Sequence, residues 1–138
     1  MTANAEQMMR DSIAAYNAQD IEKFLSYCTD DIVYEAMSGA RVIRGKEEMR
    51  PYLREVFSAF PDFKIDLKLA FASDGWAAME WIMSGTFKGV LQPLGLQPTG
   101  KHFSVRGASI TKLRDNKVWR NTDYYDSADL FRQLGVMP

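Results

Sequence analysis

The sequence predicts an α+β domain in which a few helices and a curved antiparallel (mixed) sheet enclose an apolar pocket. Three observations predict it. Apolar residues recur at helical spacing between Asn4 and Phe60, whereas alternation with period two takes over from Phe63 to Tyr125. Helices first and strands afterwards mean a layered α+β arrangement, not βαβ units. The four long strands read after Phe63 expose more apolar face than three short helices cover on a flat sheet. A sheet bent round the longest helix covers that face and leaves a cavity at its open end.

Asn4 to Gln19 reads as the first helix, because Met8, Met9, Ile13, Tyr16 and Asn17 recur at helical spacing with charges elsewhere. Asp20 is a good N-cap for a short second helix, Ile21 to Tyr27, although Lys23 stands where a capping box has Glu. Ile21, Phe24, Leu25 and Cys28 share one face of it. Thr29-Asp30-Asp31 signals a turn, Ile32 to Met37 a strand, and Arg41 to Gly45 a link or brief strand. Lys46 to Phe60 is the third helix, with Met49, Leu53, Val56, Phe57 and Phe60 in one buried stripe. Pro51 fits its first turns only partly, and Pro61-Asp62 ends it. Phe63, Ile65, Leu67 and Leu69 alternate with Lys64, Asp66 and Lys68, the mark of a half-buried strand. Asp74-Gly75 is a hairpin turn leading into the strand Trp76 to Phe87, where Gly85 predicts a bulge or bend. Gly89 to Gly100, with three glycines and two prolines, is a loop. Lys101 to Leu113 is a long strand, Asp115-Asn116 a tight turn, and Lys117 to Tyr125 the last strand. Ser127 to Leu134 is a short amphipathic helix closed by Gly135.

The 138 residues make one domain, 1–138, able to bury roughly two-thirds of the unfolded chain's surface. The net charge of -1 is spread along the chain without a basic patch, which argues against nucleic acid as a partner. No run approaches bilayer-spanning length, and Met1 to Asp11 lacks the apolar stretch of a signal peptide, so a cytoplasmic protein is expected. A lone cysteine, Cys28, and a lone histidine, His102, offer neither a disulfide nor a cysteine- or histidine-built metal site, and no metal is expected.

Several local motifs follow one another in a telling order: Phe60-Pro61-Asp62-Phe63, Trp81 through Gly85-Thr86, and Pro98-Thr99-Gly100-Lys101. Then come the hairpin Asp115 to Val118, Asp123-Tyr124-Tyr125-Asp126, and Leu130-Phe131-Arg132-Gln133-Leu134-Gly135. In order and spacing, from Tyr16 to the end, this resembles the nuclear transport factor 2-like superfamily, and within it the SnoaL-like polyketide cyclase and ester cyclase group. The resemblance implies a cone-shaped α+β barrel whose mouth admits a small hydrophobic substrate. It implies an intramolecular aldol closure needing no cofactor or metal, and a homodimer formed through the outer face of the sheet. The limonene epoxide hydrolases, a sister branch, have a similar Asp-Tyr-aromatic-Asp ending whose first aspartate is a catalytic acid/base; it falls on Asp123. The Arg and second Asp those hydrolases need fall on Trp81 and Met83, which argues against epoxide hydrolysis by that route. Of the ketosteroid isomerase pattern, Tyr16 matches the tyrosine, but the general base has no counterpart in Ile32 to Met37 unless Glu35 serves.

Strand alternation alone puts Trp119, Asn121, Asp123 and Tyr125 on one face of the last strand and Val118, Arg120, Thr122, Tyr124 and Asp126 on the other. If the first face looks into the cavity, Asp123 is a carboxylate in apolar surroundings. Desolvation then raises its pKa toward the range useful for moving protons. An aldol route asks for a base at the carbon alpha to a carbonyl and an acid for the forming alkoxide, and one such carboxyl serves both in turn. The alternative is an exposed Asp123, or one paired with Arg106 or Arg120.

His102 titrates near neutrality and opens a strand near the rim; it is a catalytic candidate or a solvated loop-end histidine. Asn121 orients a substrate carbonyl or holds Asp123. Ser109 has no base beside it in sequence and reads as an ordinary strand serine. Glu35 and Glu80 lie in strands and face either cavity or solvent. Tyr16 is a phenol donor to the pocket or a buried core tyrosine. Met37, Phe57, Phe60, Trp81, Met83, Trp119 and Tyr125 are pocket walls or simply core; the eight methionines and the aromatics suit a wall that adapts to a flat ligand. The leading functional expectation is a cofactor-independent cyclase or isomerase acting on a hydrophobic carbonyl compound, with Asp123 as acid/base. Weighed against it are a non-catalytic binding protein for a small apolar ligand in the same pocket, and a structural or partner-binding role.

Overall fold

Asp74 and Gly75, and again Asp115 and Asn116, both carry positive φ, so the two expected hairpin turns form as tight turns matched to strand twist. They join the strands of a computed structural model that describes residues 2–36 and 41–137. In chain order the elements are α1 (Thr2–Asn17), α2 (Ile21–Leu25), β1 (Cys28–Ala36), β2 (Arg41–Arg44) and α3 (Gly45–Ala59). Then follow β3 (Lys64–Ser73), β4 (Trp76–Thr86), a single 3-10 turn at Gln92–Leu94, β5 (His102–Arg114), β6 (Lys117–Tyr125) and α4 (Ser127–Leu134).

The strands form one sheet in the order β2-β1-β6-β5-β4-β3. Every neighbouring pair is antiparallel except β1 and β6, which run parallel. A parallel pair needs a long crossover, and everything from β2 to β5 supplies it. The sheet is irregular at three places: between Leu67 and Leu69 on β3, between Cys28 and Val33 on β1, and between Lys112 and Leu113 on β5 opposite β6. Such irregularities bend and twist strands, and they curl this sheet round the helices.

Alternate side chains then divide cleanly. Ala70 and Ala72 of β3, Met79, Trp81 and Met83 of β4, and Phe103 and Val105 of β5 are buried on the concave face. Leu69, Phe71, Trp76, Ile110 and Tyr124 stand exposed on the convex one. Helix α1 covers the edge strand β3, where the Asn17 amide donates to the Ile65 carbonyl and accepts from the Ile65 N–H, both at 2.8 Å. One side chain thus satisfies both edge groups of that residue. Asp20 and Asp126 cap α2 and α4 by accepting from the N–H groups of Lys23 and Asp129, and Gly135 closes α4 at φ 78°.

Several boundaries differ from the sequence-based expectation. Helix α1 stops at Asn17, because Gln19 turns left-handed at φ 57°. Strand β1 starts at Cys28 and absorbs the expected Thr29-Asp30-Asp31 turn, because Cys28 pairs with Val118. Gly85 is not a bulge: it pairs in regular register with Phe103. Its lack of a side chain makes room instead, since a Cβ there would lie 3.2 Å from both Phe60 and the Phe103 ring.

The closest approach in the sheet is at Gly107, which pairs with Trp81. The indole packs against the glycine, and a Cβ would sit 2.4 Å from its outer ring and 2.8 Å from the Tyr124 carbonyl oxygen. Gly107→Ala is therefore expected to lose about 1–3 kcal/mol of stability through overpacking, read by chemical denaturation. An unchanged midpoint would show that the indole has another place to go.

Candidate active site

Between the concave face of the sheet and the helices lies a cavity of about 290 Å³. Its wall is mostly apolar: Ile13 of α1, Met49 of α3, Met79 and Met83 of β4, Phe60 beyond α3, and Phe103 of β5. The polar groups gather on the floor, where β1, β6 and β5 lie side by side.

Asp123 of β6 is the centre of that floor and only 8% exposed. Register brings its partners. Ser109 lies directly opposite on β5, and its hydroxyl donates to Oδ1 at 2.6 Å. Asn121, two residues back on the same face, donates its amide to Oδ1 at 2.8 Å. Tyr34, from the parallel strand β1, donates its hydroxyl to Oδ2. The first two donors are themselves held: the Trp81 indole N–H donates to the Ser109 hydroxyl at 2.8 Å, and the Thr111 hydroxyl donates to the Asn121 carbonyl oxygen at 2.8 Å.

Burial pushes the Asp123 carboxyl above its ordinary range, and the three donors pull it back without cancelling the shift. No ion pair among the described residues involves it. Arg120 turns to the other face and pairs with Glu35 at 2.5 Å; Arg41, at the cavity wall, pairs with Glu55 at 3.2 Å and lies over the Tyr52 ring. Tyr16, Tyr34 and Tyr52 surround the carboxyl, and burial first, with the charge of Asp123 adding, raises all three phenols. They are neutral donors at any ordinary pH. Cys28 also reaches the cavity, but burial pushes its thiol up to about 12, so it stays protonated and unreactive.

The sequence profile of the SnoaL-like polyketide cyclases matches residues 6–134. The chain belongs to that family. It is accordingly a cyclase-type enzyme with the curled α+β architecture of the nuclear transport factor 2-like and ketosteroid isomerase-like proteins. Among solved structures it is similar to TsrD from Streptomyces laurentii, at 30% identity over 98% of this chain and 97% of that one, with a TM-score of 0.81. AclR from Streptomyces galilaeus, a suggested hydroxylase, shares 23% identity over 100% of both chains with a TM-score of 0.84. IdmH from Streptomyces antibioticus, a suggested polyketide cyclase, shares 19% over 96% of this chain and 99% of that one, with a TM-score of 0.78. The last two likenesses establish the shared fold. No curated protein matches the chain in sequence.

In this SnoaL-like chain the fold brings Tyr16, Phe60, Trp81, Met83, Asn121, Asp123 and Tyr125 to one cavity. It leaves three other candidates outside. Trp119 is the extra residue of a β-bulge: β5 advances from Lys112 to Leu113 while β6 goes from Arg120 back to Val118. The bulge breaks the alternation, so Val118 faces the cavity and Trp119 stacks on Lys112 and Arg114 outside. Phe57 stands behind the wall, edge-on to Tyr16 with ring centres 5.1 Å apart. His102 is exposed at the start of β5, its Nδ1 3.0 Å from the Thr86 hydroxyl. Met37 lies outside the described residues. Glu35 and Glu80 face away from the cavity.

Three cavity residues escaped the sequence reading: Ser109 and Tyr34 on the floor, and Tyr52 of α3. For Tyr34 the signal was present, since it shares parity with Ile32 on β1 and both reach the cavity. No group of three or more His, Cys, Asp or Glu side chains able to hold a metal occurs among the described residues. No helix among them is long and apolar enough to cross a membrane.

The raised Asp123 carboxyl makes a thermodynamic signature. Its folded pKa lies above the unfolded value of about 3.9, so folding favours the protonated form. That contribution is complete below the unfolded value and is lost as pH rises through the folded one. Asp123→Asn has no such loss. Its stability relative to wild type is expected to climb between pH 4 and pH 8, by about 1.4 kcal/mol per unit of upward shift. Denaturation of both proteins across that range checks it, and a flat difference would refute the shift.

Proposed function

We propose that this enzyme closes or isomerises a small hydrophobic carbonyl compound, with Asp123 as the acid/base. In the closing reaction the charged carboxylate takes a proton from the carbon alpha to a carbonyl, and the C–H electron pair enters an enolate. The enolate carbon attacks a second carbonyl carbon of the same molecule, a C–C bond forms, and the new alkoxide takes the proton back from Asp123. The reaction is redox-neutral and the carboxyl ends as it began, so the chemistry asks for no metal or coenzyme. The observation that carries this reading is a buried carboxyl held by neutral donors alone and opening on an apolar cavity.

Cavity size supports a substrate class. An apolar cavity of about 150 Å³ accommodates one benzene ring. At about 290 Å³ this one suits roughly two fused rings with their substituents. Tyr16, Trp81, Met83 and Tyr125 are the proposed walls, Asn121 a positioning residue for Asp123, and His102 has no part in the step.

Proton abstraction is read directly, without knowledge of the cyclised product, as deuterium uptake from solvent at the alpha carbon of one- to three-ring ketones. Wild type is expected to catalyse uptake for at least one of them. Asp123→Asn should keep the fold and slow uptake by about 10²–10⁴-fold, the usual worth of a general base. Equal uptake by the variant would end the proposal. Tight binding without uptake by wild type would turn the reading to a binding protein.

The same reading takes the chain as a homodimer through the outer face of the sheet. There Phe71, Ala78, Ile110 and Thr122 form one cross-strand row, and Leu69, Glu80, Ala108 and Tyr124 the next. Phe71, Ile110, Leu69 and Tyr124 are large and exposed, a contiguous patch of the kind that marks an interface. Light scattering should give twice the chain mass for wild type and a monomer for Ile110→Glu; a monomeric wild type would refute the dimer.

A further inference from the structure

The hydrogen bonds of the site decide which carboxylate oxygen carries the proton, and what that does to its neighbour; the argument rests on Asp123 being the acid/base. A carboxylate oxygen has two lone pairs. Both of those on Oδ1 are taken, by the Ser109 hydroxyl at 2.6 Å and the Asn121 amide at 2.8 Å. Neither donor can turn away cheaply, because Trp81 and Thr111 hold them from behind at 2.8 Å each. Among the described residues Oδ2 has one donor, the Tyr34 hydroxyl. That leaves its second lone pair to take a proton from a molecule in the cavity.

The Tyr34 hydroxyl has its own bookkeeping. Its proton is committed to Asp123, and the Tyr52 ring lies beside its own, with ring centres 5.6 Å apart. When Oδ2 takes up a proton, two O–H groups face one another. The carboxyl is the stronger acid, so it becomes the donor and the phenolic O–H must swing about its C–O bond. Tyr34 then accepts from Asp123, and its single proton is released toward the cavity it lines.

We propose that Tyr34 is a second catalytic residue, whose hydroxyl serves Oδ2 of Asp123 while the carboxylate is charged and is released to the substrate's new oxyanion when Asp123 takes the proton. One proton enters at Oδ2 and one hydrogen-bond donor leaves from Tyr34, so the base and the electrophile work in step. The transfer balances. The C–H bond breaks, its pair moves onto the carbonyl oxygen, the proton sits on Oδ2, and the Tyr34 hydroxyl donates to the oxygen that has become negative. Passing the Oδ2 proton to Tyr34 and the Tyr34 proton to that oxygen gives the enol and restores the carboxylate.

An acidic two-ring hydroxyl compound reproduces that state without reaction. 2-Naphthol gives its proton to Oδ2 and becomes the oxyanion, and absorption distinguishes its two forms. In wild type the bound molecule should be ionised at least tenfold more than the free one at the same pH. Tyr34→Phe should cut the ionised fraction at least tenfold while binding naphthalene as tightly as wild type. Equal loss of naphthalene and 2-naphthol would mean a packing role, and an unchanged ionised fraction would mean no role; either overturns the proposal. Tyr34→3-fluorotyrosine, a stronger acid of nearly the same shape, should raise the fraction instead and serves if the phenylalanine variant does not fold; no rise overturns the proposal. Asp123→Asn separates the two claims through deuterium uptake at the alpha carbon of the ketones: it should slow that uptake by about 10²–10⁴-fold. If it does while Tyr34→Phe has no effect, only the Tyr34 assignment falls; if it does not, the acid/base reading falls with it.

Discussion

A single carboxyl buried with no cation among the described residues to balance it is the constraint on which the rest of this site depends. Isolated burial of a charge in an apolar interior is prohibitive, and groups in that position neutralise themselves unless donors reach them. Asp123 is held between the two limits. Each hydrogen bond to a charged group offsets about 1.5–3 kcal/mol, and three neutral donors are present. Desolvation still outweighs them, since the carboxyl remains above its ordinary range. A cationic partner would have reversed that sign and fixed the carboxylate as a permanent anion. The two nearby arginines that could have done so are committed to Glu35 and Glu55.

The donors are where they are because of strand pairing, and strand pairing depends on the whole chain. Ser109 meets Asp123 by antiparallel register, and Tyr34 arrives only because β1 runs parallel beside β6. Behind them, Trp81 fixes Ser109, and the space Trp81 fills is open only because position 107 is glycine. A substitution with no polar atom, three contacts from the carboxyl, thus bears on its electrostatics. Rigid donors aimed in advance need not reorganise when charge moves, which is the main source of electrostatic catalysis in enclosed sites.

Much of this was legible in the sequence, and what was not has a common cause. The helices, both tight turns and the long strands follow from period and turn chemistry, because those signals are local. Asp123, Asn121 and Tyr125 were placed on one face by alternation, and they do share the cavity. Trp119 was placed with them and stands outside, because a bulge shifts the phase and leaves no mark in composition. Ser109 looked idle because its partner is fourteen residues away in sequence and opposite in space. Tyr34 shares parity with Ile32, but that it meets Asp123 follows from a parallel pairing across most of the chain, which has no local signature.

In the proposed reaction the negative charge is moved and never created. Before the step it sits on Asp123; after it, on the substrate's oxygen a few ångströms away, while the carboxyl is neutral. The number of charges inside the apolar cavity is one throughout, so no solvent needs to enter to stabilise a new one. What the site must supply is a set of donors at each end of that short path. Ser109 and Asn121 serve the first end and stay there, being pinned by Thr111 and Trp81. A donor common to both ends has to be able to turn, and Tyr34 is the floor residue whose hydroxyl touches Oδ2 and also borders the cavity. The combination of two fixed donors with one that rotates lets a weak base work on a weak carbon acid. Each time the carboxyl takes the proton, the stabilisation it no longer needs passes to the atom that does.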